Sequence, residues 1–247
     1  MRGAGTLLNM AAIIVGSGLG ILLGSRLPDR TRELTTQALG LVVLVVAALN
    51  VAALLDADWI GDVGSAAPIL ICLAAIVIGG VIGSLLRIEA RLEGMGGWLQ
   101  RRFSHKEGSE ERRRFIEGFV DASLLFCIGP LAILGALSDG LGQGIEQLAL
   151  KSTLDGVASV AFAATLGWGV ALSVIPVGIL QGVITLLGIG VGSVVAASVV
   201  ASITATGGIL IIGIGLRLLR VSTLAVGDLL PALVVAPLLT LLVTQFY

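Results

Sequence analysis

"RRRFIEGFVDASLLFCIGPLAIL", residues 112–134, runs three arginines straight into an apolar stretch that carries Glu117 and Asp121. From Phe115 onward the stretch is long enough to cross a hydrocarbon core of roughly 30 Å as a helix, which takes about 20 residues at about 1.5 Å each. The arginines mark the end that stays in water. Two carboxylates four residues apart fall on one face of that helix. An ionisable side chain inside a span is costly, turns to the bundle interior and marks an ion or proton path.

Runs of the same kind recur along all 247 residues. The chain is 56% hydrophobic and 13% charged, with mean hydropathy +1.07. A soluble domain has roughly 25% charged residues, so this chain lacks the polar shell a soluble fold needs. The runs do not alternate polar and apolar residues as the strands of a membrane barrel do. The expected fold class is all-α: a polytopic transmembrane helix bundle, one integral membrane domain over residues 1–247. Glycine, at 35 positions, is about twice as frequent as usual. "GSGLGILLG" (16–24), "IGGVIGSLL" (78–86) and "GGILIIGIG" (207–215) are stretches where small residues let helix backbones approach closely.

Eight spans are predicted, at about 5–25, 36–55, 67–86, 115–137, 150–172, 175–192, 198–219 and 226–246. Residues 151–196 are one long apolar tract, punctuated by "SVIPVG" and "GIGVGS". Basic residues orient the chain. Arg26, Arg30 and Arg32 follow the first span, eight Lys and Arg lie in 87–114, and Arg217 and Arg220 follow the seventh. With both termini outside, thirteen of the fifteen Lys and Arg are cytoplasmic, and only Arg2 and Lys151 are outside. That satisfies the positive-inside rule. The first apolar run has no cleavage site of the Ala-x-Ala kind and is read as a retained helix. In the cytoplasmic loop 87–114, Ile88, Leu92, Met95, Leu99 and Phe103 fall at helical spacing, as expected of a helix on the inner membrane surface. "SHKEGSEERRR", with His105, reads as a solvated linker.

The polar residues within spans form two expected layers. The inner one holds Glu117, Asp121 and Gln181, and the outer one Asn9, Asn50 and Asp155. Ser152, Asp155 and Ser159 share a helical face, as a set of oxygen donors for a small cation would. Lys151, four residues before Asp155, offers the competing explanation of a simple ion pair, as Arg113 or Arg114 does for Glu117. Gly129 with Pro130, and Pro176, are places where a span can break and free carbonyls to line a cavity.

"GTLLN" (5–9), "FIEGFVDASLLFCIGPLAILGAL" (115–137), "KSTLDGVASVAFAATLG" (151–167), "TATGGILIIGIGLRLL" (204–219) and "LPAL" (230–233) resemble the YqgA/YdfK-type bacterial membrane proteins, nearly end to end and in the same order. Those proteins carry a domain of unknown function whose label is that of a sodium channel or pump. The resemblance therefore implies ion transport in the bacterial cytoplasmic (inner) membrane, and it supplies no catalytic residues. One departure is visible. Relatives often have an acidic residue before the "TATGG"-like stretch, where this chain has Ser202.

The expected function is passage of a small cation, as a sodium-like channel or secondary transporter, with the lipid bilayer as the other partner. A homo-oligomer is compatible with this. A transporter of a small organic solute and a membrane scaffold or sensor acting through the basic loop are the rival readings. Net charge −1 offers nothing to nucleic acid, and no nucleotide-binding motif or cofactor is expected. Cys72 and Cys127 lie within apolar runs, as buried free thiols do. No enzyme is expected. "AVGDLLPAL" (225–233) has the Gly-Asp and Pro-Ala-Leu elements of intramembrane aspartyl proteases, but adjacent rather than on separate helices, with Ala225 at the first glycine position. Asp228 is instead expected to cap the eighth helix.

Overall fold

The computed structural model describes residues 2–24, 28–103, 109–191 and 196–247, all of it helix and turn, with no strand among the described residues. In chain order the helices are α1 (Ala4–Gly24), α2 (Asp29–Val51), α3 (Ala57–Val63), α4 (Ala67–Leu86), α5 (Ile88–Phe103) and α6 (Ser109–Cys127). Then come α7 (Pro130–Leu141), α8 (Glu146–Leu166), α9 (Gly169–Leu172), α10 (Val174–Val191), α11 (Ala197–Leu218) and α12 (Ala232–Val243). Arg26, His105 and Lys106 lie outside the described residues.

Among the described residues, six segments are long and apolar enough to cross a membrane: Ala4–Gly24, Arg30–Leu55, Ala67–Leu86, Gly169–Ile189, Ala197–Leu218 and Val226–Val243. The pair α6 and α7 makes a seventh if taken as one span bent by 61°. The break falls at Gly129, with φ +150, and Pro130. Proline cannot donate to the preceding turn and clashes with it. The expected count of eight also includes α8, which matches α1 in length at 21 residues but carries Glu146, Lys151 and Asp155.

One boundary differs from expectation. The helix expected to run to 172 ends at Leu166, where Gly167 takes φ +80 and donates its N–H to the Ala163 carbonyl. Gly167 takes a positive-φ conformation that glycine adopts at no steric cost. Hydropathy is level through this tract, so only backbone conformation marks the stop. Pro176 is the third residue of α10 and does not break it, because the first turn needs no N–H there.

The helices are inside-out relative to those of a soluble protein. On α1, Gly5, Thr6, Asn9, Gly16, Ser17 and Gly20 are buried, while Leu7, Leu8, Ile14, Val15, Leu22 and Leu23 are exposed. In water such an apolar surface would drive association. Against lipid it is the natural outer face.

The chain divides into two compact units. The first comprises residues 1–39, 92–127 and 131–193. Its central pair is α1 and α8. A side chain added at Gly16 would collide with the Gly156 carbonyl, at Gly20 with that of Val160, and at Gly24 with that of Ala164. Gly5 meets Leu148 in the same way. The contacts advance together along both helices, so α1 and α8 run parallel. Arg32 closes the end of α1, donating to the Gly24 carbonyl at 2.6 Å. In the same unit α5 is continuous through Gly94, Gly96 and Gly97, and Gly96 packs against Phe119 of α6.

The second unit comprises residues 40–91, 128–130 and 194–247. Here α2 and α11 run antiparallel, Gly40 lying against Leu219 and Gly208 against Asn50 and Val51. So do α4 and α12, through Gly79 against Ala232 and a small cluster of Ala75, Ala232 and Ala236. Trp59 of α3 packs with Ile71, Cys72, Ala201 and Ala205.

Candidate functional site: a buried polar cluster on α1 and α8

The close approach of α1 to α8 brings Asn9 to Asp155, 146 residues away in the chain. The Asn9 Nδ2 donates to Asp155 Oδ2 at 3.0 Å. Lys151 Nζ lies one turn earlier on α8, 2.9 Å from Oδ1 and 2.8 Å from Oδ2. The Lys151 and Asp155 side chains are only 8% and 9% exposed. The carboxylate thus holds one ammonium and one amide in a setting where an unpaired charge would be very costly.

On α1, α8 and α10 several polar atoms are buried with no hydrogen-bond partner. They are Asn9 Oδ1, Ser159 Oγ one turn beyond Asp155, Ser17 Oγ and Thr6 Oγ1 on α1, and both amide atoms of Gln181 on α10. Asn9, Ser17, Ser159 and Gln181 are all 0% exposed. Each orphaned group costs about 1–3 kcal/mol. Groups of this kind are met by ordered water or by a ligand. Ser152, predicted as a flanking oxygen donor, donates its hydroxyl hydrogen to the Leu148 carbonyl at 2.6 Å, which leaves the oxygen's lone pairs.

Of the expected outer layer, Asn9 and Asp155 come together, whereas Asn50 belongs to the second unit, half-buried beside Gly208. Of the inner layer, Asp121 is buried on α6 and Gln181 is buried on α10, with no hydrogen bond joining them. Glu117 is half-exposed and pairs with Arg113 at 3.3 Å. Among the described residues no group of three or more His, Cys, Asp or Glu side chains converges as metal ligands.

Two further carboxylate arrangements were not legible from sequence. Asp139, near the end of α7, accepts the backbone N–H groups of Gly3 and Gly5 at 2.9 Å each, and so caps α1 from 134 residues away. In the second unit Glu89 pairs with Arg217 and accepts the Gly227 N–H at 2.6 Å. Asp228 returns the contact by accepting the Glu89 N–H at 2.9 Å. Asp228 therefore caps the start of α5 rather than the eighth helix as expected, because the fold carries that helix start, 139 residues away, to its carboxylate. Ser202 donates to the Val199 carbonyl at 2.7 Å.

Long apolar helices with lipid-facing outer surfaces and buried charged and amide side chains define a multi-pass helical membrane protein. The chain belongs to the family described as protein of unknown function (DUF554), which matches residues 4–241. It is 31% identical over 242 residues to the uncharacterized membrane protein YdfK of Bacillus subtilis, covering 98% of this chain and 97% of that one. It is 29% identical over 238 residues to the uncharacterized protein YqgA of Escherichia coli, covering 94% of each. No solved structure gives a significant match.

Proposed function

We propose that the protein moves a small monovalent cation, sodium first among the candidates, across the bacterial inner membrane, with Asp155 at the centre of the path. The observation that carries this is a buried carboxylate with unpartnered oxygens of Asn9 and Ser159 beside it. Small hard cations favour oxygen donors. Asp121 and Gln181 serve as further polar stations along the first unit, and Glu117 with Arg113 sits toward the aqueous end. The chain acts as a transporter and performs no covalent chemistry.

Both termini lie outside and residues 87–114 inside. The basic-residue asymmetry supports this, and the parallel run of α1 and α8 supports the crossing count. Two parallel spans require an odd number of crossings between them, and α2, α4 and the bent α6–α7 pair are three.

The test is ion flux into liposomes carrying purified protein, with sodium, potassium, lithium and magnesium in separate arms. Uptake of one monovalent ion, lost in Asp155→Asn at matched folded protein, is the expected result. Absence of flux for every cation would remove the proposal.

A further inference from the structure

We infer that Arg101 and Arg112 hold the phosphate of one anionic phospholipid at the membrane surface, with the Trp98 ring beside it among the lipids. This rests on the chain being a multi-pass membrane protein and is independent of the cation path. Helix α5 begins one residue after α4 ends, with Arg87 alone making the turn at φ 51. A helix joined so tightly to a span starts at the membrane surface. Gly96 and Gly97 of α5 pack on α6, against Phe119 and Ile116. Over Gly97 two cations converge. A first side-chain carbon there would lie 3.7 Å from Arg112 Nη2 and 3.8 Å from Arg101 Nη1. Both arginines are exposed. Among the described residues no carboxylate pairs with either of them. The α6 acids Glu110 and Glu117 are taken by Arg113.

Two guanidinium groups drawn to one spot repel each other, and an anion between them replaces the repulsion with two attractions. Each guanidinium also meets phosphate oxygens through paired, charge-assisted hydrogen bonds. What makes the anion a lipid is the surface around it. Gly94, Gly97, Trp98 and Arg101 share one face of α5 at spacings of three, four and seven. Nothing lies within 4 Å of a side chain added at Gly94, so that face is a shallow notch. Trp98 stands at its rim, 55% exposed. Indole rings settle at the headgroup level of a bilayer, where one end is apolar and the other wet. A free phosphate ion has nothing to offer that ring. A phospholipid brings the phosphate and the apolar chains together, and basic clusters at the ends of spans take anionic headgroups in this way.

The experiment uses the purified full chain in a neutral detergent. Phosphatidylglycerol, phosphatidylcholine and inorganic phosphate are added in separate arms, and native mass spectrometry reads the bound lipid. The wild type should retain one phosphatidylglycerol and bind phosphatidylcholine at least tenfold more weakly. The double variant Arg101→Gln with Arg112→Gln should weaken phosphatidylglycerol binding at least tenfold. Arg102→Gln removes the same charge from α5 outside the notch and should weaken it less than twofold. Equal losses in Arg101→Gln and Arg102→Gln would reduce the effect to general basicity and overturn the site, as would wild-type binding by the double variant. Displacement of phosphatidylglycerol by an equal concentration of inorganic phosphate would overturn the lipid as occupant. A second readout needs no arginine variant. Chain-brominated phosphatidylglycerol should quench Trp98, read as the difference between wild type and Trp98→Phe, more strongly than chain-brominated phosphatidylcholine. Equal quenching by the two lipids would overturn the proposal.

Discussion

Asp155 is stabilised from two helices, and losing its charge leaves Lys151 buried without compensation. Breaking a buried pair from one side typically costs about 3–5 kcal/mol. Asp155→Asn should therefore lower thermal stability in detergent by that order. The double variant Lys151→Met with Asp155→Leu should recover most of the loss, because two apolar side chains leave no stranded charge. It should still carry no ion. A double variant with wild-type flux would reduce the pair to a structural one. The inner carboxylates separate by burial. Glu117 is 37% exposed and paired with the half-exposed Arg113, an arrangement worth at most about 1 kcal/mol. Asp121 is 5% exposed. Asp121→Asn should cut flux at least tenfold, and Glu117→Gln should cut it less than about threefold. Wild-type flux in both would take α6 out of the path.

Helix α1 depends on closeness, because lipid provides no hydrophobic drive between helices and contact itself must hold them. Gly16, Gly20 and Gly24 face backbone carbonyls of α8 with no room for a methyl group, whereas nothing lies within 4 Å of a side chain added at Gly18. Gly20→Ala should cost about 1–3 kcal/mol, the usual range for overpacking, and Gly18→Ala almost nothing. Melting curves of the two variants in one detergent make the comparison, and equal melting would refute the backbone contact. The same displacement would draw Asn9 from Asp155, so Gly20→Ala should also lower flux.

Across the molecule the prediction is orientation. In a background with Cys72 and Cys127 replaced, a cysteine at Asp58 or added after Tyr247 should react with a membrane-impermeant reagent in intact cells. One at Arg102 should react only after lysis. Labelling at Arg102 in intact cells would invert the topology and, with it, the assignment of the Asp155 cluster to the outer half of the membrane.

Composition and periodicity were enough to establish a helical membrane protein, most of its spans and the break at Gly129–Pro130, because a bilayer imposes length and apolarity on each span separately. They also brought Asp155, Asp121, Asn9 and Ser159 into view, since an ionisable or amide side chain inside an apolar run stands out locally. The i,i+4 pairs, Lys151–Asp155 and Arg113–Glu117, were readable because a helix brings such residues together by itself. The end of α8 at Gly167 was hidden by uniform hydropathy on both sides. Which partner each polar group meets was decided only by packing. Asn9 reaches Asp155 because glycines let α1 lie against α8. Asp139 caps α1, Asp228 caps α5, and Ser152 gives its hydroxyl hydrogen to its own helix. Those contacts join residues far apart in the chain or choose between a local carbonyl and a distant partner. Local sequence carries no term for either, because both depend on which helices the fold brings into contact.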